Sequence, residues 1–323
     1  MSNSNQLEMM ERIALDLEGV ERALASSFNT GSEDFNTLIR PLSEAGGKRL
    51  RAQLCLLIAN AGTSVEEERI KIAEAVEMLH LATLIHDDVL DQAEIRRGEE
   101  TIHKHKGNKV AILSGDYLFA KAFRIVSEMP HMEYLKIFSH IITCLVEGEF
   151  MQMEDVYRID QGIDRYITKT QKKTADFMEG CMELGGLLGG WSSDEIMYLK
   201  RYGHALGMAF QITDDIMDYR ETSDTTGKPV GNDLREGLLT YPLLSIVNES
   251  NQNQLLQDIK NLNHGGNEQE IIDYVIAQGG IDNTLRVAQQ YCDDALSALQ
   301  SIRDFDGKEF LVLAVQNLAD RKV

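Results

Sequence analysis

The stretch TSVEEERIKIAEAVEMLHLATLIHDDVLD, residues 63–91, decides the fold class of this chain. Apolar residues recur in it three and four positions apart with polar residues between them, which predicts a long α-helix with a buried face. Thr63 and Ser64 precede Glu66 and Glu67, and this order predicts an N-cap followed by an acidic first turn. We therefore expect a helix that runs through a core and ends in a cluster of aspartates.

The same periodicity continues on both sides of this stretch. Few segments alternate as strands do, and the chain contains no internal repeat and no low-complexity linker. We therefore expect an all-α protein in which one large helical domain spans residues 1–323. Glycine pairs in MELGGLLGGW (182–191) predict close helix packing. The other predicted helices are residues 6–28, 48–60, 109–128, 131–157, 163–189, 193–220, 238–248, 267–278 and 280–300.

The charge of the chain limits its partners. Fifty-two acidic and 32 basic residues give a formal net charge of −20. Such an excess of negative charge repels nucleic acid and anionic membranes, so neither is expected as a partner. An anionic ligand would need a local basic patch or metal ions to hold it.

The cysteines and the apolar segments indicate a compartment. Cys55, Cys144, Cys181 and Cys292 have no CxxC or metal-ligand spacing, and we interpret them as reduced thiols. The N-terminal sequence MSNSNQLEMMER lacks the basic start and apolar core of a signal peptide. No segment reaches the ~20 apolar residues of a transmembrane helix. We expect a cytoplasmic protein without membrane insertion.

Two clusters of aspartates share one spacing. They are DDVLD, with Asp87, Asp88 and Asp91, and DDIMD, with Asp214, Asp215 and Asp218. In each cluster the first and last carboxylates are four residues apart, so on a helix they share a face about 5–6 Å apart. Such a pair destabilises a helix unless a cation neutralises it. Near a helix C-terminus the macrodipole adds to the repulsion.

A magnesium ion would provide the charge that this pattern needs. Mg²⁺ prefers oxygen ligands, keeps several waters, and is held by one or two carboxylates together with substrate phosphates. A single DDxxD in so acidic a chain is more often a solvated helix end. Two clusters, each after an apolar helix and before a basic loop, favour metal ions that hold a diphosphate.

Basic residues lie beside glycines or beside the aspartate clusters. An arginine there offers a planar fork to a phosphate group, and a lysine offers a point charge. They are Lys48, Arg49 and Arg51 in AGGKRLR (45–51), Arg96 and Arg97, Lys172 and Lys173, and Lys228 in GKPVG (227–231). Arg49 and Lys172 are interpreted as ordinary surface residues, and the other six as candidates for phosphate binding.

His80 lies on the helix that leads into the first cluster. A lone histidine in an apolar helix is more often a core residue than a ligand. Because this helix ends at a predicted metal site, a hydrogen bond from neutral His80 to a phosphate is the functional alternative.

Six segments of the chain resemble, in order, the motifs of the trans-polyprenyl diphosphate synthases, especially of bacterial medium- and long-chain members. The resemblance covers about residues 40–245. It implies an all-α fold with helices around a central catalytic cavity, and elongation of an allylic diphosphate by isopentenyl diphosphate. The segments are GGKRLR (46–51), LIHDDVLDQAEIRRG (84–98), GDYLFA (115–120), KKTADF (172–177), FQITDDIMD (210–218) and GKPVGNDL (227–234).

The resemblance also implies a role for each matching residue. Two or three Mg²⁺ ions would be bound by Asp87, Asp91 and Asp214, with Asp88 in support and with Asp215 and Asp218 through or near the bound waters. Isopentenyl diphosphate would be bound by Lys48, Arg51, His80 and Arg97. The allylic diphosphate would be bound by Arg96, Lys173 and Lys228. Thr174 and Gln211 would lie beside the developing carbocation, and Phe210 beside the isopentenyl site.

Two positions depart from the family pattern. Ala52 stands where the family usually has proline after GGKRxR, and Glu100 stands where it usually has proline before Thr101. Neither change removes a ligand. Both alter the expected stiffness of a loop, and Glu100 adds a negative charge near the phosphates.

The expected reaction follows from the residues and the resemblance together. An allylic C–O bond ionises when its diphosphate is stabilised by Mg²⁺ and by basic side chains. The isopentenyl double bond then attacks the cation, and a proton is lost. No side chain stands out as a general base, so the released diphosphate is expected to take this proton.

Product length is expected to depend on the helix before Asp87. In the family, the residues four and five positions before the first aspartate limit the growing chain. Here they are Thr83 and Ala82, with Leu79 and Val76 further along. None is aromatic, so we expect an open cavity and a product of about C30 to C50, as found on respiratory quinones. A residue from a neighbouring helix that closes the cavity earlier is the alternative.

Other functions fit the sequence less well. A terpene cyclase would not need the Lys48, Arg51 and Arg97 set. A short-chain synthase making C15–C20 products remains the nearest alternative in the same family. A non-catalytic regulatory subunit would have lost aspartates or basic ligands, and an acidic metal-binding scaffold would not explain the ordered lysines and arginines. The expected assembly is a homodimer or a complex with a small companion subunit.

Overall fold

Helices account for nearly all regular structure in the described residues, and the predicted all-α fold is confirmed. The computed structural model describes residues 3–44, 49–96, 98–220 and 231–319. The helices are α1 (Asn3–Ser27), α2 (Glu33–Glu44), α3 (Leu50–Asn60), α4 (Glu66–Leu90), α5 (Ile102–Lys106), α6 (Asn108–Ser127), α7 (Met132–Glu154), α8 (Ile163–Thr170), α9 (Asp176–Leu188), α10 (Ser193–Arg220), α11 (Asn232–Glu236), α12 (Tyr241–Leu244), α13 (Gln252–Asn261), α14 (Glu268–Ala277), α15 (Gly280–Gln300) and α16 (Lys308–Ala319). A π-helical turn (Gln171–Ala175), a 3-10 turn (Leu262–His264) and two short strands, β1 (Ile95–Arg96) and β2 (Glu99–Glu100), complete them.

The chain forms two compact units. Unit 1 consists of residues 1–139, 180–197 and 304–307, and unit 2 consists of residues 140–179, 198–303 and 308–323. The single domain expected from the sequence stays a prediction. None of the described helices combines the length and the apolar character needed to cross a bilayer.

The core of unit 1 is organised around α4. Fourteen of its residues are buried, including Ile72, Val76 and Leu79, and it packs against α1, α3 and α6. The acidic first turn predicted at Glu66 and Glu67 is confirmed. The predicted N-cap is wrong: Val65 takes the N-cap position without a side-chain bond, and the Ser64 hydroxyl donates instead to the Ala59 carbonyl over 2.7 Å. The Ser64 side chain thus caps the C-terminal turn of α3 instead of the start of α4.

Glycines allow the first half of unit 1 to pack closely on residues 180–191. A Cβ atom at Gly185 would lie 2.6 Å from the Cys55 carbonyl oxygen, and one at Gly189 would lie 2.9 Å from the Ile58 oxygen. Real side chains do not tolerate approaches this short to backbone. The close packing predicted from the glycine pairs is confirmed at these two positions.

Unit 2 has its own hydrophobic core, and its helices differ from the predicted ones in two places. Residues 163–189, predicted as one helix, are interrupted by the π-helical turn between α8 and α9. The helix predicted at 238–248 is reduced to α12. Pro242 lies in its first turn and has no backbone N–H to donate, so the helix cannot extend towards residue 238. The core includes Tyr166, Met208, Ile212, Ile216, Leu243, Ile259 and Val275.

Candidate functional site

The first aspartate cluster ends α4. The helix stops at Leu90, and Asp91 is its C-cap, with its backbone N–H donating to the Asp87 carbonyl over 2.8 Å. Asp87 is half-buried and Asp91 is exposed. The expected position at a helix C-terminus is confirmed, and the negative end of the macrodipole adds to the repulsion between these carboxylates. The pair therefore favours a bound cation.

Asp88 has a different environment from its two neighbours. Only 7% of the residue is exposed, and its Oδ1 accepts a hydrogen bond from Arg96 Nε over 2.5 Å. Arg96 is held opposite Glu99 in the β1–β2 hairpin. The structure thus brings Asp88 and Arg96 together in unit 1, whereas Arg97 lies outside the described residues.

Hydrogen bonds hold the segment in which Glu100 replaces the usual proline. The Thr101 N–H donates to the Glu94 carbonyl over 3.0 Å, and its hydroxyl donates to the Ala93 carbonyl over 2.7 Å. Thr101 is buried and caps α5, while Glu100 is exposed. These bonds constrain the loop without a proline ring.

The basic segment before α3 is anchored by a carboxylate that sequence analysis missed. Glu77 is 1% exposed, and it accepts a hydrogen bond from Arg49 Nη1 over 3.1 Å. The interpretation of Arg49 as an ordinary surface residue is wrong, because its side chain is only 7% exposed and forms this buried ion pair. Arg49 also adopts a left-handed backbone, with φ of 44°. An acidic residue at a buried position of the α4 pattern was the available signal.

The same carboxylate lies beside the backbone N–H of Ala52, the position where the family usually has proline. The Ala52 N–H lies 3.4 Å from Glu77 Oε1, and a proline would have no N–H to offer there. Burial lowers the pKa of the Arg51 guanidinium, which lies near the Cys181 thiol and the Glu77 carboxylate. Lys48 lies outside the described residues.

His80, Thr83 and Asp87 follow one face of α4. His80 and Thr83 are half-buried, and the Thr83 hydroxyl donates to the His80 carbonyl over 2.8 Å. Ala82, which precedes Thr83, is fully buried, as are Leu79 and Val76. Thr83, Ala82, Leu79 and Val76 are the residues expected to set product length, and all are small or aliphatic.

A cavity of about 910 Å³ lies against another face of α4 in unit 1. Leu81, Leu84, Ile85 and Asp88 line it from α4, and Arg96 lines it from the hairpin. None of the four positions expected to set product length is among its lining residues.

The second aspartate cluster occupies the last two turns of α10. Asp214 is exposed, Asp215 is buried and Asp218 is half-buried. The carboxylate of Asp218 accepts the backbone N–H groups of Asn232 over 3.1 Å and of Asp233 over 3.2 Å. The last aspartate of the motif thus holds the start of α11, and the first one is open to solvent.

Thr174, Gln211 and Asp215 form a chain of hydrogen bonds in unit 2. The Thr174 hydroxyl donates to Gln211 Oε1 over 3.0 Å, and Gln211 Nε2 donates to Asp215 Oδ1 over 3.0 Å. The Tyr166 hydroxyl donates to the other Asp215 oxygen over 2.5 Å. Burial raises the pKa of Asp215 to about 7 despite these hydrogen bonds. The structure brings the predicted Thr174 and Gln211 together, and it adds Tyr166, which sequence analysis missed.

Lys172 and Lys173 lie in the π-helical turn between α8 and α9. Lys173 Nζ lies 2.5 Å from Glu149, and Lys172 Nζ lies 2.5 Å from Glu147. The Lys172 side chain is half-buried, at 26% exposed, in this ion pair, and its interpretation as an ordinary surface residue stays a prediction. π-Helical turns in α-helices occur frequently at functional sites. Phe210 is half-buried, and Lys228 lies outside the described residues.

Close backbone packing holds this π-helical turn. A Cβ at Gly148 would lie 3.0 Å from the Lys173 nitrogen, and one at Gly207 would lie 2.6 Å from the Ala175 Cα. Larger residues at either glycine would push the turn away. The two glycines therefore fix where Lys173 and Thr174 stand.

Further ionisable groups of unit 2 lie near the second cluster. Burial, and then the carboxylates of Asp218 and Asp215, raise the pKa of Asp233 well above its usual range. Burial lowers the pKa of Lys169, near Asp155 and Asp215. Neither Asp233 nor Lys169 was predicted as a site residue, although Asp233 is part of the quoted GKPVGNDL segment.

Compact groups of three metal-ligand side chains occur away from the aspartate clusters in the described parts of the chain. They are His140, Cys144 and Asp176, and Asp176, Glu179 and His204. The DDxxD carboxylates do not form such a group. Since Mg²⁺ takes one or two carboxylates and completes its shell with waters and phosphates, the DDxxD arrangement suits a substrate-bound ion.

A sequence model of the family described as polyprenyl synthetase matches residues 32–278. The chain belongs to the polyprenyl synthetase family. The predicted family and the predicted class of enzyme, a prenyltransferase, are confirmed.

Similar proteins cover the chain almost completely. Octaprenyl diphosphate synthase of Escherichia coli is 32% identical over 95% of this chain and 96% of its own. Heptaprenyl diphosphate synthase component 2 of Geobacillus stearothermophilus is 32% identical over 89% of this chain and 90% of its own. The crystal structure of a decaprenyl diphosphate synthase from Rhodobacter capsulatus has a TM-score of 0.88 and 30% identity over 98% of this chain and 99% of that one. These three relatives are synthases of octaprenyl, heptaprenyl and decaprenyl diphosphate.

Proposed function

We propose that the chain extends an allylic diphosphate with isopentenyl diphosphate to a product of about C30 to C50. The observation that carries this proposal is the pair of carboxylates, Asp87 and Asp91, at the C-terminus of α4. The two carboxylates repel one another, and the negative end of the helix dipole adds to this repulsion. A bound cation that also contacts the anionic substrate would offset it.

The residues fit magnesium. Asp87, Asp91 and Asp214 present half-buried or exposed carboxylates, the hard oxygen ligands that Mg²⁺ prefers. Mg²⁺ bound there would act as a Lewis acid on the diphosphate that leaves. Asp88, Asp215 and Asp218 are already engaged by Arg96, by Gln211 and by backbone N–H groups, so we assign them supporting roles.

The basic residues are proposed to divide between two diphosphates. Their charge would offset the negative charge of the substrates and of the aspartates. Arg96, Lys173 and Lys228 would hold the allylic diphosphate, and Lys48, Arg51, His80 and Arg97 would hold isopentenyl diphosphate. Before binding, the ion pair with Glu149 keeps the Lys173 side chain extended. On binding, Lys173 would exchange Glu149 for the diphosphate of the substrate.

Thr174 and Gln211 are proposed to stabilise the allylic cation. The Thr174 hydroxyl hydrogen is directed at Gln211 Oε1, so the lone pairs of that hydroxyl remain available to positive charge. Gln211 is in turn fixed by its bond to Asp215. The allylic C–O bond breaks, and the isopentenyl double bond attacks the resulting cation. The condensed product then loses a proton, which the released diphosphate takes. Phe210 would border the isopentenyl site.

Binding of farnesyl diphosphate, measured by calorimetry with and without Mg²⁺, tests the metal assignment. We expect Mg²⁺-dependent binding that Asp87→Ala weakens. The control is Asp293→Ala, which removes an exposed aspartate from α15. Equal binding without Mg²⁺, or unchanged binding by Asp87→Ala, would contradict the assignment.

Product length is assigned to the α4 positions before Asp87. None of Ala82, Thr83 and Leu79 is aromatic, and the curated relatives named above make octaprenyl and heptaprenyl products. We expect Ala82→Phe to shorten the product to C15–C20. Because Ala82 is fully buried and a larger residue there can strain the core, Thr83→Phe at a half-buried position is the second variant.

A matched control for these variants is Leu84→Phe, on the face of α4 that lines the cavity of unit 1. It places the same aromatic ring on the same helix. Unchanged products from Ala82→Phe and Thr83→Phe, or equal shortening by Leu84→Phe, would contradict this assignment.

The chain is proposed to act in the cytoplasm as a homodimer. Val146, Phe150 and Met153 lie on one face of α7 and are 48%, 62% and 55% exposed, an apolar stripe suited to a second copy. The four cysteines are unpaired and buried, as in a reducing compartment. Sedimentation should give a dimer that Phe150→Glu splits and Leu313→Glu, at an exposed site on α16, does not. Activity only after adding a small subunit would replace the homodimer by a heteromer.

A further inference from the structure

Unit 2 contains a cluster of soft and hard metal ligands outside the aspartate motifs. His140 and Cys144 are one turn apart on α7, and Asp176 is the first residue of α9. One ligand atom from each lies within 4.8 Å of the other two. Cys144 and Asp176 are 4% and 8% exposed, whereas His140 is exposed. The cluster therefore joins two helices at the edge of the core.

The carboxylate of Asp176 is shared with a second group. Glu179 and His204 each present a ligand atom within 4.8 Å of Asp176 and of each other. His204 Nδ1 lies 3.4 Å from Glu179 Oε2, and Lys200 Nζ lies 3.5 Å from the other Glu179 oxygen. Lys200 already neutralises Glu179, which leaves the group around Cys144 as the better cation site.

The spacing around Cys144 matches a tetrahedral metal site. With Zn–S of about 2.3 Å and Zn–N of about 2.0 Å, a tetrahedral angle places sulfur and nitrogen roughly 3.5 Å apart. Cys144 Sγ lies 3.7 Å from Nε2 and 3.8 Å from Nδ1 of His140. Because the two distances are nearly equal, the imidazole must turn to aim one nitrogen at an ion. The exposed position of His140 leaves room for that rotation.

The ligand types select against magnesium. A thiolate and an imidazole bind Zn²⁺ and similar borderline-soft ions, whereas Mg²⁺ requires oxygen ligands. One thiolate and one carboxylate would also neutralise a divalent ion. This cluster and the aspartate motifs would thus bind different metals.

We propose that His140, Cys144 and Asp176 bind one Zn²⁺ ion, with a fourth position open to water or to a further ligand. Binding would replace the hydrogen bond that the Cys144 thiol now donates to the Asp176 carboxylate, and it would release the thiol proton. The ion would tie α7 to the residue directly after the π-helical turn. That turn carries Lys173 and Thr174, so the ion would stiffen the segment to which the proposed function assigns substrate contacts.

Cobalt titration tests the site independently of catalysis. The full chain, stripped of metal and without Mg²⁺, is titrated with Co²⁺, whose bond to a thiolate gives a charge-transfer absorption. We expect one Co²⁺ per chain, an absorption band that Zn²⁺ abolishes by displacement, and no band in Cys144→Ser. Cys292→Ser is the control, since Cys292 is also a buried cysteine of unit 2 and lies outside the cluster.

His140→Ala covers the case in which Cys144→Ser fails to fold, because His140 is exposed. It should weaken Co²⁺ binding at least about tenfold, whereas His264→Ala, at another exposed histidine of unit 2, should not. The absence of a band in the unaltered chain would overturn the proposal. So would a band of full intensity in Cys144→Ser, or unchanged affinity in His140→Ala.

Discussion

The two aspartate clusters have the same spacing but different surroundings. In DDVLD the cluster ends a helix, and its buried middle aspartate, Asp88, bonds to the arginine of the adjoining hairpin. In DDIMD the cluster lies within the last turns of α10, and its buried aspartate, Asp215, accepts hydrogen bonds from the neutral side chains of Tyr166 and Gln211. The buried aspartate of the motif is thus held by an arginine side chain in unit 1 and by neutral hydrogen-bond donors in unit 2.

Within each cluster, the surroundings distinguish the aspartate proposed to bind metal from the aspartate proposed to support it. The first aspartates, Asp87 and Asp214, are half-buried or exposed, and the second ones, Asp88 and Asp215, are buried and hydrogen-bonded. Burial raises the pKa of Asp215 to about 7, although the hydrogen bonds from Tyr166 and Gln211 act in the opposite direction.

The largest effect is expected at the first aspartate of each cluster. Asp87→Ala and Asp214→Ala would each remove a proposed metal ligand, and kcat should fall by about a thousandfold or more at saturating Mg²⁺. Steady-state kinetics with labelled isopentenyl diphosphate measures this, with Asp293→Ala as the control. A loss of less than about tenfold in either variant would contradict the assignment of that aspartate as a metal ligand.

Asp215 should make the stability of the chain depend on pH. Its pKa is raised from 3.8, the ordinary value for an aspartate, to about 7 in the folded protein, so its stabilising contribution is complete below pH 3.8 and is lost as the pH rises through 7. Asp215→Asn has no charge to bury, so it should stabilise the protein relative to the unaltered chain by on the order of 2–4 kcal/mol more at pH 8 than at pH 5.

Urea unfolding without Mg²⁺ at the two pH values measures this difference. Asp293→Asn, at an exposed position of α15, serves as the control and should give nearly the same result at both pH values. A pH-independent effect of Asp215→Asn would show that Asp215 is charged in the folded protein at both.

Arg96→Gln should test the cationic partner of the first cluster. Asp88 is 7% exposed, so loss of its arginine should lower the free energy of unfolding by about 1–3 kcal/mol. The matched control is Lys104→Gln, which breaks the exposed ion pair with Glu94 and should cost less than about 1 kcal/mol. Equal losses in the two variants would mean that Asp88 does not depend on its arginine.

The smallest effect is expected from restoring the family proline at position 52. Ala52→Pro removes the long N–H contact to Glu77 in the first turn of α3, where proline is otherwise tolerated. Stability should change by less than about 1 kcal/mol, as measured by urea unfolding. A loss of several kcal/mol would show that this N–H helps to hold Glu77.

Local patterns predicted the helices and both clusters because each depends on residues close in sequence. Periodicity located α4 and α10, and the spacing of four located the carboxylate pairs. The Thr174–Gln211 pair came from resemblance alone, because its members are 37 positions apart. The π-helical turn was not visible in a pattern that is helical on both sides.

The misses share a cause: each depends on a side-chain hydrogen bond or ion pair that the helical pattern does not specify. Glu77 looked like any acidic residue of an amphipathic helix until its partner Arg49, 28 positions away, was placed beside it. Tyr166 and Asp215 are separated by 49 positions. Ser64 failed as an N-cap because its hydroxyl bonds to the Ala59 carbonyl instead. Local sequence patterns predict where a helix forms, whereas packing determines which partners its polar side chains have.

One incubation tests the central claim most directly. The purified chain alone receives Mg²⁺, farnesyl diphosphate and labelled isopentenyl diphosphate, and the dephosphorylated products are sized by chromatography. The account predicts a ladder of products that ends near C30 to C50 and is absent without Mg²⁺. Products that stop at C20 would contradict the assignment of an open cavity along α4. No incorporation, with or without a small companion subunit, would contradict the proposed elongation reaction itself.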